Sequence, residues 1–298
     1  MLSIIWDPSE IAFQIGPLTI RWYALCWVLG LAGGYVVVER LYKIQRIVQA
    51  LFDPLFLYCF FGILIGARLG HCLLYEPSYF LAHPIEMLLP LRETAEGWKY
   101  VGYAGLASHG GTFGLMVALW LYVRKTKLPL LRVLDNIAIA TPITAFAIRM
   151  GNLMNSEIVG KPTDSDWGFI FVKNGEDFAR YPAQLYEALA YLLLFFVGLA
   201  IYAYRRKTDE SRRTAWLKAQ PNLLLPNDAG VGTGWYFGFC LTSIFTFRFF
   251  IEMLKEVQEP WELEMQSLIG INQGQLLSIP FVLLGLYCLF GLKRWAEK

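Results

Sequence analysis

The chain has 298 residues, 56% of them apolar and 17% charged, with a formal net charge of +2. Water-soluble domains carry about 25% charged residues, so the shortage of charge excludes an ordinary soluble enzyme and points to a membrane protein. The net charge says little by itself, and no nucleic-acid partner is expected.

A bilayer crossing needs roughly 20 mostly apolar residues. Seven segments meet that length, at about 18–38, 51–75, 103–123, 133–149, 182–204, 232–254 and 274–292. The expected fold is all-α: a polytopic integral membrane protein, one domain over 1–298 with seven transmembrane helices and no internal repeat. Ahead of the first segment, no basic run leads into a short apolar core with a small-residue cleavage site, so no removable signal peptide is expected. Arg40, Lys43 and Arg46 follow the first segment, and Arg124, Lys125, Lys127 and Arg132 follow the third. Arg205, Arg206, Lys207, Arg212, Arg213 and Lys218 follow the fifth, and Lys293, Arg294 and Lys298 the seventh. Basic residues after every odd-numbered segment put those ends in the cytoplasm. The N-terminus and the acidic loops near 76–102, 156–181 and 255–273 then lie outside. All five cysteines (Cys26, Cys59, Cys72, Cys240 and Cys288) sit in apolar stretches without the pairing of a metal or redox motif, and read as packing residues.

Polar groups break this pattern at a few places. Arg21-Trp22-Tyr23 opens the first segment as an interfacial anchor. Gly62, Gly66 and Gly70 recur every four residues in the second, a spacing that lets helices approach closely, and Arg68 lies among them. His109 stands in Ser108-His109-Gly110-Gly111 near the outer start of the third segment, where imidazole can exchange a proton near neutral pH. At the end of the fourth come Arg149, Asn152 and Asn155, three apart and so on one helical face, with Ser156 beside them. The fifth opens with Arg180-Tyr181-Pro182-Ala183-Gln184-Leu185-Tyr186-Glu187, and Gln184 and Glu187 share a face. Arg248 and Glu252 sit one turn apart in the sixth.

An ionised group at the centre of a membrane helix costs about 2.5 to 3.5 kcal/mol, so such groups face a wet interior or a ligand. Arginine presents a planar fork of donors that suits phosphate and stays charged when dehydrated. Arg68, Arg149 and Arg248, with no matching buried carboxylate cluster evident, therefore point to an anionic lipid headgroup. Signatures of metalloproteases, serine hydrolases and nucleotide-binding loops are absent from the sequence, which leaves a site without metal or cofactor.

Taken together the motifs resemble one family. Arg149-x-Gly151-Asn152-x-x-Asn155-x-Glu157-x-x-Gly160 is similar to the signature of bacterial prolipoprotein diacylglyceryl transferase. The resemblance runs in order through Arg21-Trp22-Tyr23, Gly66-Ala67-Arg68-Leu69-Gly70, Ser108-His109-Gly110-Gly111, Tyr181-Pro182-x-Gln184-Leu185-Tyr186-Glu187, Arg248-x-x-x-Glu252 and Gly274-Gln275-x-x-Ser278-x-Pro280. Ile148, Leu153 and Ile244 stand where the family usually has Gly, Phe and Tyr. The resemblance implies seven spans in the bacterial cytoplasmic (inner) membrane, with the N-terminus outside and the site towards the outer leaflet. It implies transfer of the diacylglyceryl group of phosphatidylglycerol to the lipobox cysteine of a prolipoprotein, without a cofactor, among membrane lipids.

On that basis Arg149 and Arg248 are expected to hold the phosphate, and His109 to take the thiol proton, unless the arginine field alone lowers the thiol pKa. Tyr23, Asn152, Asn155, Gly160 and Gln184 would orient the headgroup, Glu157 and Glu252 would hold the arginines or a glycerol hydroxyl, and Arg68 would add a supporting charge. The rival expectation is a transporter or flippase for an anionic lipid or phosphate ester. Transporters often show repeats or paired broken helices at mid-membrane, whereas the polar motif here is single and near the outer face.

Overall fold

The computed structural model describes residues 3–16, 18–89, 91–94, 97–100, 105, 107–219, 228–257 and 260–291. In chain order these form β1 (Ile4–Trp6), β2 (Ile11–Ile15), β3 (Leu18–Arg21), α1 (Trp22–Ile44), α2 (Gln49–Leu74), α3 (Pro77–Ala82) and α4 (Pro84–Leu88). There follow β4 (Leu91–Thr94), β5 (Gly97–Tyr100), α5 (Ser108–Thr126), α6 (Leu130–Met154), β6 (Phe169–Phe171), α7 (Ala183–Thr208), α8 (Glu210–Ala219), α9 (Trp235–Ile251), α10 (Pro260–Ile269) and α11 (Gln273–Leu286).

A helix stands at each of the seven predicted segments. Among the described residues, α1, α2, α6, α7 and the stretch Gln273–Gly291 are long and apolar enough to cross a membrane. The protein is mostly helical and of the multi-pass type. α9 is apolar but only 17 residues long, and the polar Ser108-His109-Gly110-Gly111-Thr112 opening dilutes α5. Residues 103, 104 and 106, at the expected start of the third segment, and Lys293, Arg294 and Lys298 lie outside the described residues.

Three small sheets amend the all-α expectation. β1 and β6 pair in parallel, while β2–β3 and β4–β5 are antiparallel hairpins. Residues 18–21, read as the start of the first helix, are instead a strand paired with β2, from Ile11↔Arg21 to Ile15↔Leu18. A short apolar run such as Leu-Thr-Ile fits a strand and a helix equally by hydropathy, and the partner strand decides. The fourth helix, expected at 133–149 and the shortest, runs over 25 residues. Its polar ends stay helical because protein groups meet them.

Contacts divide the chain into two compact units, Met1–Arg46 with Leu131–Lys298, and Ile47–Leu130. In the smaller unit, α2 packs on α5 through the glycine ladder: a Cβ on Gly70 would lie 2.7 Å from Gly110 Cα, and one on Gly62 would lie 2.8 Å from Gly114 O. Such an approach puts backbone against backbone and excludes any side chain.

In the larger unit, α1 crosses α6 at Gly30, where Thr144 Oγ1 donates to the Gly30 carbonyl at 2.8 Å. α9 and α11 meet at Gly238, whose Cβ would lie 2.7 Å from Gly285 O, and Phe245 stacks on Phe281 at 4.3 Å. Asp135 of α6, fully buried, accepts from the backbone N–H groups of Gly232, Gly234 and Phe237 at 2.8 to 2.9 Å. Gly234 and Phe237 are orphan donors of the α9 start, where an anion is favoured, and Gly232 lies in the turn just before it. The clamp ties α6 to α9 at one end, and the residues of interest lie about 20 Å further along α9, at ~1.5 Å per residue.

Candidate active site

α6 delivers the motif from its last turns. Arg149 Nη1 donates to Asn152 Oδ1 at 3.2 Å, Asn152 Nδ2 to Glu157 Oε2 at 3.1 Å, and Asn155 Nδ2 to Glu157 Oε1 at 3.0 Å. The helix stops at Met154, and the chain turns with left-handed φ at Ser156 (56°) and Ile158 (57°). For β-branched Ile158 that conformation is strained, and such strain persists only where the surroundings impose it. The turn brings Glu157 back over the end of the helix, so the two carboxamides and the carboxylate form one row.

From Arg149 the row continues as a chain of charges. Arg149 Nε stands 2.9 Å from Glu187 Oε2, which makes no aligned hydrogen bond among the described residues. The other oxygen, Glu187 Oε1, takes Lys255 Nζ at 3.1 Å and the Tyr191 hydroxyl at 3.4 Å. Lys255 Nζ also meets Glu252 Oε1 at 2.9 Å, and Arg248 Nε lies 3.5 Å from that same oxygen. Two arginines on different helices, α6 and α9, are thus joined through Glu187, Lys255 and Glu252. The absence of a matching carboxylate cluster, expected from the sequence, is corrected here: Glu187 is fully buried and the Glu252 side chain is 11% exposed. The Arg248 side chain is 39% exposed, and its terminal nitrogens make no hydrogen bond among the described residues.

A frame of short strands fixes this chain. Gly160 pairs with Lys255 in an antiparallel bridge, Lys161 N–H donates to Leu254 O at 2.7 Å, and Gly160 N–H to Tyr181 O at 2.8 Å. A Cβ at Gly160 would lie 2.6 Å from Tyr181 O and 2.8 Å from Leu254 O, so the position admits only glycine. Buried Arg180 grips both Glu176 oxygens and donates to Gly160 O at 3.2 Å, and the Glu176 bond raises its pKa further. Asn272 and Gln275 form a reciprocal capping box at the start of α11, and Asn272 Nδ2 donates to Glu252 O at 3.3 Å. Gly274 leaves the room that the Glu252 carboxylate occupies, since a Cβ there would lie 2.5 Å from Glu252 Cδ.

The N-terminal strands brace the motif from the other side. Trp6 Nε1 donates to Leu153 O at 2.9 Å, and Lys173 links Asn155 O, at 3.0 Å, to Glu10. The hydrogen bond from Lys173 holds the Glu10 carboxyl below its ordinary value. A carboxyl with a lowered folded-state pKa contributes stability above its ordinary value, and the contribution is lost as pH falls through the lowered one. Proteolysis of the N-terminal strands should therefore be slow at pH 7 and quicken a few-fold below about pH 4. Glu10→Gln should be equally fast at both, and a pH-independent parent would contradict the link.

Of the other expected residues, Tyr23 packs on the motif helix, 3.0 Å from where a Gly151 Cβ would be. Gln184 is fully buried one turn before Glu187, and its Nε2 and Oε1 have no partner among the described residues. Arg68 and His109 belong to the smaller unit. Arg68 is buried and engaged with carbonyls, Nη2 to Glu86 O at 2.6 Å and Nε to Met87 O at 3.1 Å, which makes it a tie for its own loop. His109, on the first turn of α5, is exposed, makes no hydrogen bond among the described residues, and edges an apolar cavity of about 870 Å³ between α2 and α5. No group of three His, Cys, Asp or Glu is placed to hold a metal among the described residues.

Lys255 escaped the sequence reading because it stood at the border of a segment and a loop. The signal was its spacing from Glu252 and Arg248, which continues one helical face. In the sequence Glu187 shows only as a polar group beside Gln184, and no local pattern signals the Asp135 clamp.

The family model for prolipoprotein diacylglyceryl transferase matches residues 10–291. A phosphatidylglycerol–prolipoprotein diacylglyceryl transferase of Bacteroides fragilis is 49% identical over 292 residues, covering 97% of this chain and 95% of its own. One of the same name from Porphyromonas gingivalis is 40% identical, over 95% and 93%, and one from Chloroherpeton thalassium is 36% identical, over 99% and 96%. A match that runs through every helix carrying the charge chain leaves one conclusion: the chain belongs to the prolipoprotein diacylglyceryl transferase family.

Proposed function

We propose that this protein transfers the diacylglyceryl group of phosphatidylglycerol to the thiol of a prolipoprotein lipobox cysteine, forming a thioether and releasing glycerol phosphate. It does so as a single membrane domain of seven spans in the bacterial inner membrane, N-terminus outside, with the site towards the outer leaflet. The observation that carries the reading is the pair of arginines on α6 and α9 joined by buried carboxylates, with the Arg248 fork still open to a ligand.

In the reaction sulfur attacks the glyceryl carbon, the C–S bond forms, and the C–O bond to phosphate breaks with its electron pair left on the phosphate oxygen. Arg149 and Arg248 bind the phosphate and meet that growing charge. Fixed donors in a water-poor site suit this task, because they need no reorganisation as the charge develops. Only a few per cent of a free thiol is ionised at pH 7, so activation helps, and His109 is the candidate to take the proton, with the arginine field lowering the thiol pKa as the alternative. Asn152, Asn155, Tyr23 and the Glu157 carboxylate orient the headgroup, and Glu252 holds Arg248. Gly160 supports the site through the strand it permits, and Arg68 is the supporting charge of the reading.

Gln184 supplies a donor and an acceptor from one buried carboxamide, a match for a glycerol hydroxyl. Gln184→Leu is expected to raise KM for phosphatidylglycerol about tenfold, the effect of one lost hydrogen bond in a buried site, with a smaller change in kcat. An unchanged KM would remove it from headgroup binding. For His109→Ala, transfer between pH 6 and 9 equal to the parent would remove the base.

The direct experiment incubates the purified protein with phosphatidylglycerol and a lipobox peptide and looks for the diacylglyceryl adduct by mass. Movement of lipid across vesicles with no adduct would overturn the transferase reading.

A further inference from the structure

Lys255 lies just past the end of α9, its side chain 6% exposed, its backbone paired with Gly160. Its ammonium sits 3.1 Å from Glu187 and 2.9 Å from Glu252, the two carboxylates that hold Arg149 and Arg248. We propose that Lys255 is the positioning residue that sets the charge of the phosphate site, by occupying both carboxylates so that the two arginines keep a net positive charge for the lipid. This rests on the transferase reading.

Without Lys255, the two glutamates neutralise the two arginines, and a phosphodiester would meet no surplus positive charge beside the Glu157 carboxylate. With it, these five groups carry one positive charge, and the Glu157 carboxylate held by Asn152 and Asn155 adds the same negative charge in either case, so the lysine shifts the site by one full unit towards the anionic lipid. In a buried site the difference is large, because charges there are weakly screened. The residue type fits the task. A lysine ammonium is compact, with three rotatable donors that bridge two carboxylates on different helices, whereas an arginine fork would favour one of them. Buried charges such as Lys255 and Glu187 are tolerable only while each has a partner, so the same contacts also fix where the guanidinium groups point.

A bystander that merely packs here would give a different pattern of variants from a residue that sets charge. Lys255→Met is expected to raise KM for phosphatidylglycerol at least tenfold and to lower kcat tenfold or more, since both the bound phosphate and the leaving one lose the surplus charge. Lys255→Arg is expected to keep a large part of the activity. The informative variant is Lys255→Met combined with Glu252→Gln. Two arginines against the one remaining glutamate restore a single surplus charge, and the double variant is expected to recover transfer at least tenfold over Lys255→Met alone.

The assay is adduct formation with phosphatidylglycerol vesicles and a lipobox peptide, run on detergent-purified protein, with thermal unfolding measured for each variant. Should Lys255→Met not accumulate, Lys255→Arg and the double variant are compared with the parent instead, and a double variant less than one hundredth as active as Lys255→Arg would overturn the proposal. An active parent with an unaffected Lys255→Met, or a double variant no better than the single, would overturn this inference and leave the transferase reading intact. A parent that forms no adduct would overturn both.

Discussion

Arg149→Lys is expected to lower diacylglyceryl transfer by about 10² to 10³, the usual cost of losing one fixed donor at a developing anion. Arg149 divides its fork: Nε faces Glu187 at 2.9 Å and Nη1 donates to Asn152 at 3.2 Å, so two edges of the guanidinium are fixed by the protein. A lysine keeps the charge but has one nitrogen, which the buried Glu187 carboxylate would capture. Asn152 would lose its donor and the row through Glu157 would lose its anchor. The loss should fall mainly on kcat, since the fork matters most as charge builds on the leaving phosphate. Parent-like turnover at saturating phosphatidylglycerol would contradict the role.

Gly160→Ala is expected to be the most damaging change of a single methyl group. The new Cβ would meet the Tyr181 and Leu254 carbonyl oxygens at 2.6 and 2.8 Å, and backbone cannot move aside as a flexible side chain can. Overpacking of this kind costs about 1 to 3 kcal/mol. Here it would also part Gly160 from Lys255, the bridge that sets the lysine between its two carboxylates. Transfer should fall at least tenfold, together with a lower unfolding temperature. Gly198→Ala, on α7 with nothing within 4 Å of its Cβ and an ordinary helical setting, is the matched control. It should stabilise slightly, by about 0.5 to 1 kcal/mol, as alanine does in a helix interior. Equal unfolding temperatures and rates for the two variants would show that the Gly160 clash does not occur.

Much of this protein was legible in the chain itself. Spacing alone put Arg149 and Asn152 on one face of a helix, because 3.6 residues per turn is a property of the backbone and needs no partner. The glycines of α2 announced a close crossing in the same way, and α5 supplied it with Gly110 and Gly114. Apolar length located every long helix, since burial of 20 apolar residues is a local sum over sequence.

What spacing could not reach were the pairings between distant segments. That Leu18 to Arg21 is a strand follows only from its partner at Ile11 to Ile15, and hydropathy carries no record of partners. That Arg68 is a tie for carbonyls, while Arg248 keeps an open fork, depends on which backbone folds over each guanidinium. Nor does any local pattern announce that Glu187 joins Glu252 and Lys255 in one buried cluster, because Glu187 lies 68 residues from Lys255 in the chain. The sequence by itself determined the helices and the kinds of charge they carry. Tertiary structure alone decided which charges neutralise one another and which remain for a ligand, because electrostatic energy depends on distance through space and on exclusion of water, and neither is a property of a single segment.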